Sequence, residues 1–245
     1  MARKYGLSIK TIQRRIDKVK IYKPLVSARE VVVLMDTTYF GRNFGVMLFR
    51  DAYTCTNLCK IYVKHETNQL YMDGITHLQN QGFRINAIIC DGRKGLIQTF
   101  SNIPLQMCQF HQVAIITRYL TRRPKLQAAI KLRELTLLLV KTDKESFIGA
   151  LNRWHVEWKS FLDERTTNKD TGKSFYTHKR LRSAYRSLNS NLPWLFTWYD
   201  NIELNVPNTT NAIDGHFADL KNKLRNHNGL TIARKMKFID EFLKV

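Results

Sequence analysis

The sequence predicts an α/β fold built on a mixed five-stranded sheet with flanking helices, and three observations predict it. Two apolar runs, Glu30 to Asp36 (EVVVLMD) and Arg84 to Asp91 (RINAIICD), each finish in an aspartate. An uninterrupted apolar run of that length is the pattern of a strand buried on both faces. Between them lie two further strand-like segments and one segment of helical period, which gives the order β-β-β-α-β-α-β.

The elements follow in chain order. Ala2 to Lys20 reads as the end of one helix, a turn at Gly6-Leu7-Ser8, and a second helix from Ile9 to Val19 that carries Arg14, Arg15 and Lys18. Ser8 suits the N-cap, and Ile12, Ile16 and Val19 supply an apolar stripe. Residues 1–22 therefore predict the back half of a helix-turn-helix whose second helix enters a major groove. A basic amphipathic helix packed on the next domain is the other reading of the same residues. The front half of the unit is missing, so the expectation is a chain cut short at its start or begun at an internal methionine.

After a linker at Tyr22 to Pro24, strands are expected at Glu30 to Asp36, Phe44 to Arg50 and Leu58 to Val63, joined by short turns in a meander. Thr67 to Gln81 has helical spacing, with Leu70, Ile75 and Leu78 apolar and Gly82 as its stop. A helix between strands implies a crossover, which makes the Arg84 strand parallel to an earlier one. If that neighbour is the first strand, Asp36 and Asp91 project side by side from the strand ends. Arg93 to Phe100 reads as a short helix and Leu105 to Cys108 as a short strand.

From Phe110 the pattern turns helical, at Gln112 to Leu120, Leu126 to Val140, Lys144 to Leu162 and Phe175 to Leu188, with a polar loop at Thr166 to Lys173. The expected organisation is a first part of the core at 30–111, an all-helical insertion at 112–205, and closing core helices at 206–245. In the last part, Ile213, Phe217, Leu220 and Leu224 form one apolar face while Asp214, Lys221 and Arg225 line its neighbour. Asn211 suits the N-cap of that helix, with Asp214 as its third residue, a variant of the capping box. A last helix covers Thr231 to Leu243.

Composition narrows the partners. Forty Lys and Arg stand against twenty Asp and Glu, a formal charge of +20 that points first to nucleic acid. No apolar run approaches the ~20 residues that span a bilayer, and the polar start does not read as a signal peptide. The four cysteines, Cys55, Cys59, Cys90 and Cys108, lack paired spacing and suit a reducing compartment rather than a disulfide framework.

Two neighbouring aspartates repel unless a cation lies between them, and oxygen-only ligation suits Mg²⁺ or Mn²⁺. Two such ions about 4 Å apart clamp the attacking and leaving oxygens of a phosphodiester. Asp36, Asp91 and Asp214 are the candidate metal-ligating and catalytic residues, and Arg14, Arg15, Lys18, Lys221 and Arg225 the candidate DNA contacts. Trp154/Trp158 and Trp194/Trp198, spaced four apart, read as helical core or as a platform for a flipped base.

Taken together, these segments resemble the ribonuclease H-like transposases and integrases, and within them the Mutator-like transposases. The resemblance is carried by Leu34 to Phe40 (LMDTTYF), Ile89 to Gly92 (ICDG), Leu105 to Gln112 (LQMCQFHQ) and Asn208 to Gly215 (NTTNAIDG), and it covers Val31 to Leu230. It implies a transposase of insertion sequences that cuts transposon ends and joins them to target DNA with Mg²⁺ or Mn²⁺ at Asp36, Asp91 and Asp214. It also implies double-stranded DNA as partner, a homodimer or higher oligomer, no membrane, and a cytoplasmic or nuclear location according to host. A truncated or inactive DNA-binding derivative is the alternative. Cys108 and His111 match the family's Cys-x-x-His element; alone they make half a zinc site, and they brace the fifth strand or touch the cleaved strand. The family's third acid is usually glutamate, so Asp214, one methylene shorter, requires its helix to approach by roughly 1 to 1.5 Å more. Glu203 and Glu157 stand as alternative third acids.

Overall fold

The computed structural model describes residues 3–42, 44–227 and 229–245. Its centre is a five-stranded sheet in the order β3-β2-β1-β4-β5. The strands are β1 (Glu30–Phe40), β2 (Phe44–Asp51), β3 (Asn57–Val63), β4 (Arg84–Cys90) and β5 (Leu105–Met107). β1, β2 and β3 form an antiparallel meander, while β1–β4 and β4–β5 pair in parallel. This is the ribonuclease H-like mixed sheet.

Register explains how two acids from separate strands meet. Val31 pairs with Ile85 but Val32 with Ala87, so β4 carries one extra residue at a bulge. From there Leu34 faces Ile89, and two residues further on each strand Asp36 stands beside Asp91. Without the bulge Asp36 would stand beside Cys90, whose side chain belongs to the other face. Side chains alternate across a strand, and Val32, Leu34, Ala87 and Ile89 bury on one face while Val33, Met35, Ile88 and Cys90 bury on the opposite one. Asp36 therefore shares the face of Val32 and Leu34. One correction follows: Asp36 is not at the end of its strand. β1 continues four residues to Phe40, because Thr37 to Phe40 pair with β2.

The face of Val33, Met35, Ile88 and Cys90 is covered by α2 (Asn68–Asn80), whose Tyr71, Gly74, Ile75 and Leu78 are buried, and by the helices that follow β5. These are α4 (Gln109–Leu120), α5 (Gln127–Leu138), α6 (Lys144–Asp163) and α7 (Lys179–Leu195), after a short α3 (Leu96–Thr99) between β4 and β5. α4 starts at Gln109 rather than Gln112, with Cys108 as its cap residue. Thr166 to Lys173 is not simply a loop: β6 (Arg165–Thr167) and β7 (Ser174–Tyr176) make a two-stranded ribbon between α6 and α7. The helix expected from Phe175 accordingly begins at Lys179 and runs on to Leu195, with Pro193 inside it. The tryptophans serve packing, with Trp154 buried and its indole donating to the Ala128 carbonyl at 3.0 Å.

The opposite face is covered by α9 (Asn211–Arg225) and α10 (Ile232–Leu243), after a short α8 (Thr197–Asp200). Ile213, Phe217 and Leu220 bury the predicted face of α9 on the sheet, and each such side chain stabilises the fold by about 1.5–3 kcal/mol. The cap residue is Thr210, not Asn211, which makes Asp214 the fourth helical residue. At the start of the chain, α1 (Ile9–Lys18) is capped by Ser8 as expected. It lies against α10 through a bidentate Asp17–Arg234 pair at 2.9 and 3.0 Å and a Lys237 hydrogen bond to the Asp17 carbonyl.

Candidate active site

Asp91, at the end of β4, and Asp214, on α9, both act electrostatically on Asp36 of β1. Asp36 is half-buried, and its carboxyl is pushed up to about 7, first by loss of water and then by the negative charges of Asp214 and Asp91. The Thr37 N–H, donating to Asp36 Oδ1 at 2.8 Å, and the positive charge of His111 pull the other way without winning. Asp91 Oδ1 accepts from the Arg93 N–H at 3.2 Å. Gly92, between them, packs against the Met107 side chain: a Cβ there would lie 2.1 Å from Met107 Cε and force that methyl to move.

Asp214 is held by a different set of groups. Thr210 Oγ1 lies 3.1 Å from Asp214 Oδ2, 3.2 Å from Cys108 Sγ and 3.5 Å from His111 Nδ1. The Thr210 N–H also donates to Cys108 Sγ at 3.3 Å, and the Gln109 N–H to the Asn208 carbonyl at 3.0 Å. Cys108 and His111 thus join the β5–α4 corner to the start of α9. Burial alone would raise the Cys108 thiol, but hydrogen bonds with His111 and Thr210 outweigh it and hold the thiol below its ordinary value. His111 is raised to about 9, chiefly by its hydrogen bond with Cys108, against burial, and further by the charges of Cys108, Asp36 and Asp214. At neutral pH the imidazole is therefore a cation beside the acids.

The alternative third acids lie elsewhere. Glu157 pairs with Lys131 at 2.6 Å on the exposed side of α5 and α6, and Glu203 is exposed in a 3₁₀ turn at Ile202–Leu204. Arg14, Arg15 and Lys18 are exposed on α1, and Lys221 and Arg225 on α9. Asp214, Lys221 and Arg225 share one stripe of α9, at about 10 and 16 Å along the axis from the acid.

Tyr71, Glu66, Arg93 and Thr210 were not singled out by sequence reasoning. Tyr71 is 1% exposed, and its hydroxyl donates to Glu66 Oε1 at 2.5 Å and accepts from Thr37 Oγ1 at 2.9 Å. Burial and the neighbouring Glu66 push its phenol far above the ordinary value. Arg93 in turn donates to the Glu66 carbonyl at 2.7 Å and to Asn68 Oδ1 at 2.8 Å. The chain Thr37–Tyr71–Glu66–Arg93 ties the residue after Asp36 to the residue two after Asp91. Isolated hydroxyls carry no spacing signal; only the adjacency of Thr37 to Asp36 could have drawn attention to it.

As a donor set, three carboxylates fit a hard divalent cation. Among the described residues, no three His, Cys, Asp or Glu side chains are gathered at metal-ligating spacing. Each acid rests instead on its own hydrogen-bond donor: the Thr37 N–H for Asp36, the Arg93 N–H for Asp91 and the Thr210 hydroxyl for Asp214.

No family model matches the chain, and no curated protein matches it. Several solved structures do. A simian T-cell lymphotropic virus intasome in complex with PP2A regulatory subunit B56 gamma aligns at 11% identity over 69% of this chain and 51% of that one, with a TM-score of 0.26. The HTLV-2 integrase catalytic core domain in complex with magnesium, in its dimeric form, aligns at 10% identity over 68% of this chain and 89% of that one, with a TM-score of 0.27. The chain spans about half the length of the first. The fold assignment rests on the strand order and pairing.

Proposed function

We propose that this chain is a transposase of the Mutator-like type, which cuts DNA at transposon ends and joins them to target DNA. The supporting observation is the state of Asp36, whose carboxyl is lifted to about 7, first by burial and then by the charges of Asp214 and Asp91. A strongly shifted acid with two further carboxylates acting on it is the environment that a bound cation would relieve. Asp36, Asp91 and Asp214 would hold Mg²⁺ or Mn²⁺. When bound, such ions offset charge on the phosphoryl oxygens and on the attacking and departing oxygens.

The chain's own groups do the rest. The Thr37 and Arg93 N–H groups aim the Asp36 and Asp91 carboxylates. Thr210 orients Asp214, and the His111 cation offsets part of the negative charge that a phosphate brings. Lys221 and Arg225, along the same stripe as Asp214, take phosphates further along the duplex, and Arg14, Arg15 and Lys18 of α1 take others. In the first step a water oxygen attacks phosphorus and the P–O3′ bond breaks, leaving a 5′-phosphate and a 3′-hydroxyl that acquires the proton. In the second, that 3′-oxygen attacks a target phosphorus, loses its proton, and displaces the target's own 3′-oxygen.

The test is nicking of a duplex carrying a candidate terminal repeat, with Mg²⁺ or Mn²⁺ and with chelator. Metal-dependent release of a 3′-hydroxyl, abolished in Asp36→Asn, supports the proposal; metal-independent cutting, or equal cutting by Asp36→Asn, overturns it. A second reading, DNA binding without cutting, draws on the lack of a ready-made metal cluster among the described residues. Binding with no nicking at any divalent ion concentration selects it.

A further inference from the structure

Away from the acids, the β6–β7 ribbon and the α4–α5 connection form a cationic surface. Across residues 118–125 and 165–182 there are ten Lys and Arg against one acid, Asp170. Among the described residues only Arg182 of those ten is in an ion pair, with Asp163 at 2.7 Å. A merely solvated face interleaves its charges, whereas this one repels itself, which a partner of opposite charge would relieve.

The ribbon is exposed along its whole length from Arg165 to Ser174, yet it is braced from below. The Tyr176 ring lies between two guanidiniums, Arg165 at 4.6 Å and Arg182 at 3.6 Å, and Lys179 stands 4.0 Å over Phe175. Each such contact is worth about 0.5–1 kcal/mol at an exposed site. Arg165 Nε donates to Ser174 Oγ at 2.9 Å, and His178 stacks on Phe161 while pairing with Glu164. At the tip, Asn168 Oδ1 accepts from the N–H groups of Asp170 and Thr171, and Gly172 closes the turn at φ +67°. Lys169 and Lys173 are thus presented to solvent from a fixed base.

The second half of the surface is attached to the first. Arg180 Nη2 donates to the Arg118 carbonyl at 2.6 Å, joining the start of α7 to the end of α4. Arg122, Arg123 and Lys125 are exposed in the loop that follows. Between the exposed cations of residues 165–174 stand Thr, Asn and Ser, which suit phosphate oxygens and not a lipid interior, while the ribbon's two rings, Phe175 and Tyr176, are half-buried against Lys179, Arg165 and Arg182. α4 starts at the Cys108–His111 corner of the site and, at 12 residues, runs about 18 Å to this surface. That is about five base-pair steps, half a helical turn of B-DNA.

We infer that the β6–β7 ribbon and the α4–α5 loop form a second DNA-binding surface that grips the phosphate backbone of duplex DNA about half a turn from the acids. Its register on the duplex rests on the proposed function; the contact itself does not.

The test uses the full chain and fluorescence anisotropy with a labelled duplex of about three helical turns, titrated across salt. The variants are Lys169→Glu/Lys173→Glu and Arg122→Glu/Arg123→Glu. Lys23→Glu/Lys244→Glu, near Gln81 and Phe83 where α2 ends and β4 begins, is the matched change of charge. All six positions are exposed, and an unchanged melting temperature verifies folding. Each surface pair should lose more than about tenfold in affinity, with a log–log salt slope shallower by about 1.8, against less than about threefold for the matched pair. Equal losses in surface and matched pairs overturn the inference, and so does tighter binding of an RNA duplex of the same length. Ribbon-dependent binding without nicking keeps this surface and removes the catalytic reading. Nicking with surface pairs that bind like the matched pair does the reverse.

Discussion

The two walls of the candidate site are built on opposite principles. On the β1–β4 wall, Asp36 and Asp91 rest on backbone N–H donors, backed by the buried Thr37–Tyr71–Glu66 chain, and the nearby Arg93 guanidinium is committed to Glu66 and Asn68. On the α4–α9 wall, Asp214 shares a hydroxyl, Thr210, with Cys108 and His111, and the imidazole is a cation up to about pH 9. One wall makes a carboxylate reluctant to ionise; the other brings positive charge of its own. The difference teaches that burial and like charge fall on Asp36, whereas the α4–α9 wall carries a cation of its own.

Breaking the first wall should have the largest effect. On the proposed function, Asp36→Asn would remove a metal ligand and should lower metal-dependent nicking by about a thousandfold, equivalent to about 4 kcal/mol of transition-state stabilisation, while DNA affinity stays within about twofold. Single-turnover nicking assays against a binding titration measure both. Tyr71→Phe keeps the ring but removes the hydroxyl that links Thr37 to Glu66. Nicking should fall about 10- to 100-fold, as for groups that orient ligands, with recovery at higher Mn²⁺ concentration. If added metal restores nothing, Tyr71 acts on folding rather than on ligand orientation.

The second wall should be the more tolerant. Thr210→Val deletes the hydroxyl shared with Asp214, and nicking should drop about tenfold, while Thr210→Ser retains it. Equal losses in the two variants would mean that shape, not the hydroxyl, matters there.

The smallest effect is on stability, and its sign distinguishes the walls. The Asp36 carboxyl is raised from its ordinary value to about 7, so the folded state holds that proton more tightly than the unfolded one. The stability this confers is fully present below about pH 4 and is lost as pH rises through about 7. Asp36→Asn should therefore melt higher than the parent chain at pH 8, with the gap closing toward pH 4. His111 behaves likewise at higher pH: its contribution is full below about 6.5 and lost as pH rises through about 9. His111→Gln should thus cost stability at pH 6 and little at pH 10. Melting curves over this range, without divalent ions, read both.

How much of this was legible in the sequence follows from what carries a pattern. The five strands and the α9 face could be read because Val31 to Met35, Ile85 to Cys90 and the Ile213, Phe217, Leu220 spacing impose burial on particular positions. The convergence of Asp36 and Asp91 was expected from a parallel pairing, although the bulge that sets their register has no signature in the sequence. The continuation of β1 to Phe40 lies in the β-forming run Thr37-Thr38-Tyr39-Phe40 before Gly41, which a strand ending at Asp36 leaves out; pairing with β2 completes it. The β6–β7 ribbon was hidden by its polarity, having no buried face to set a period. Thr210 and Tyr71 act through single hydroxyls, which periodicity cannot register.

The central claim is that Asp36, Asp91 and Asp214 close on a divalent cation which relieves Asp36. Anomalous diffraction from crystals of the chain grown with Mn²⁺ tests it most directly. The account predicts an anomalous peak among the three carboxylates, absent in Asp36→Asn; a peak at Cys108 and His111 instead, or none with Asp214 turned away, would contradict it.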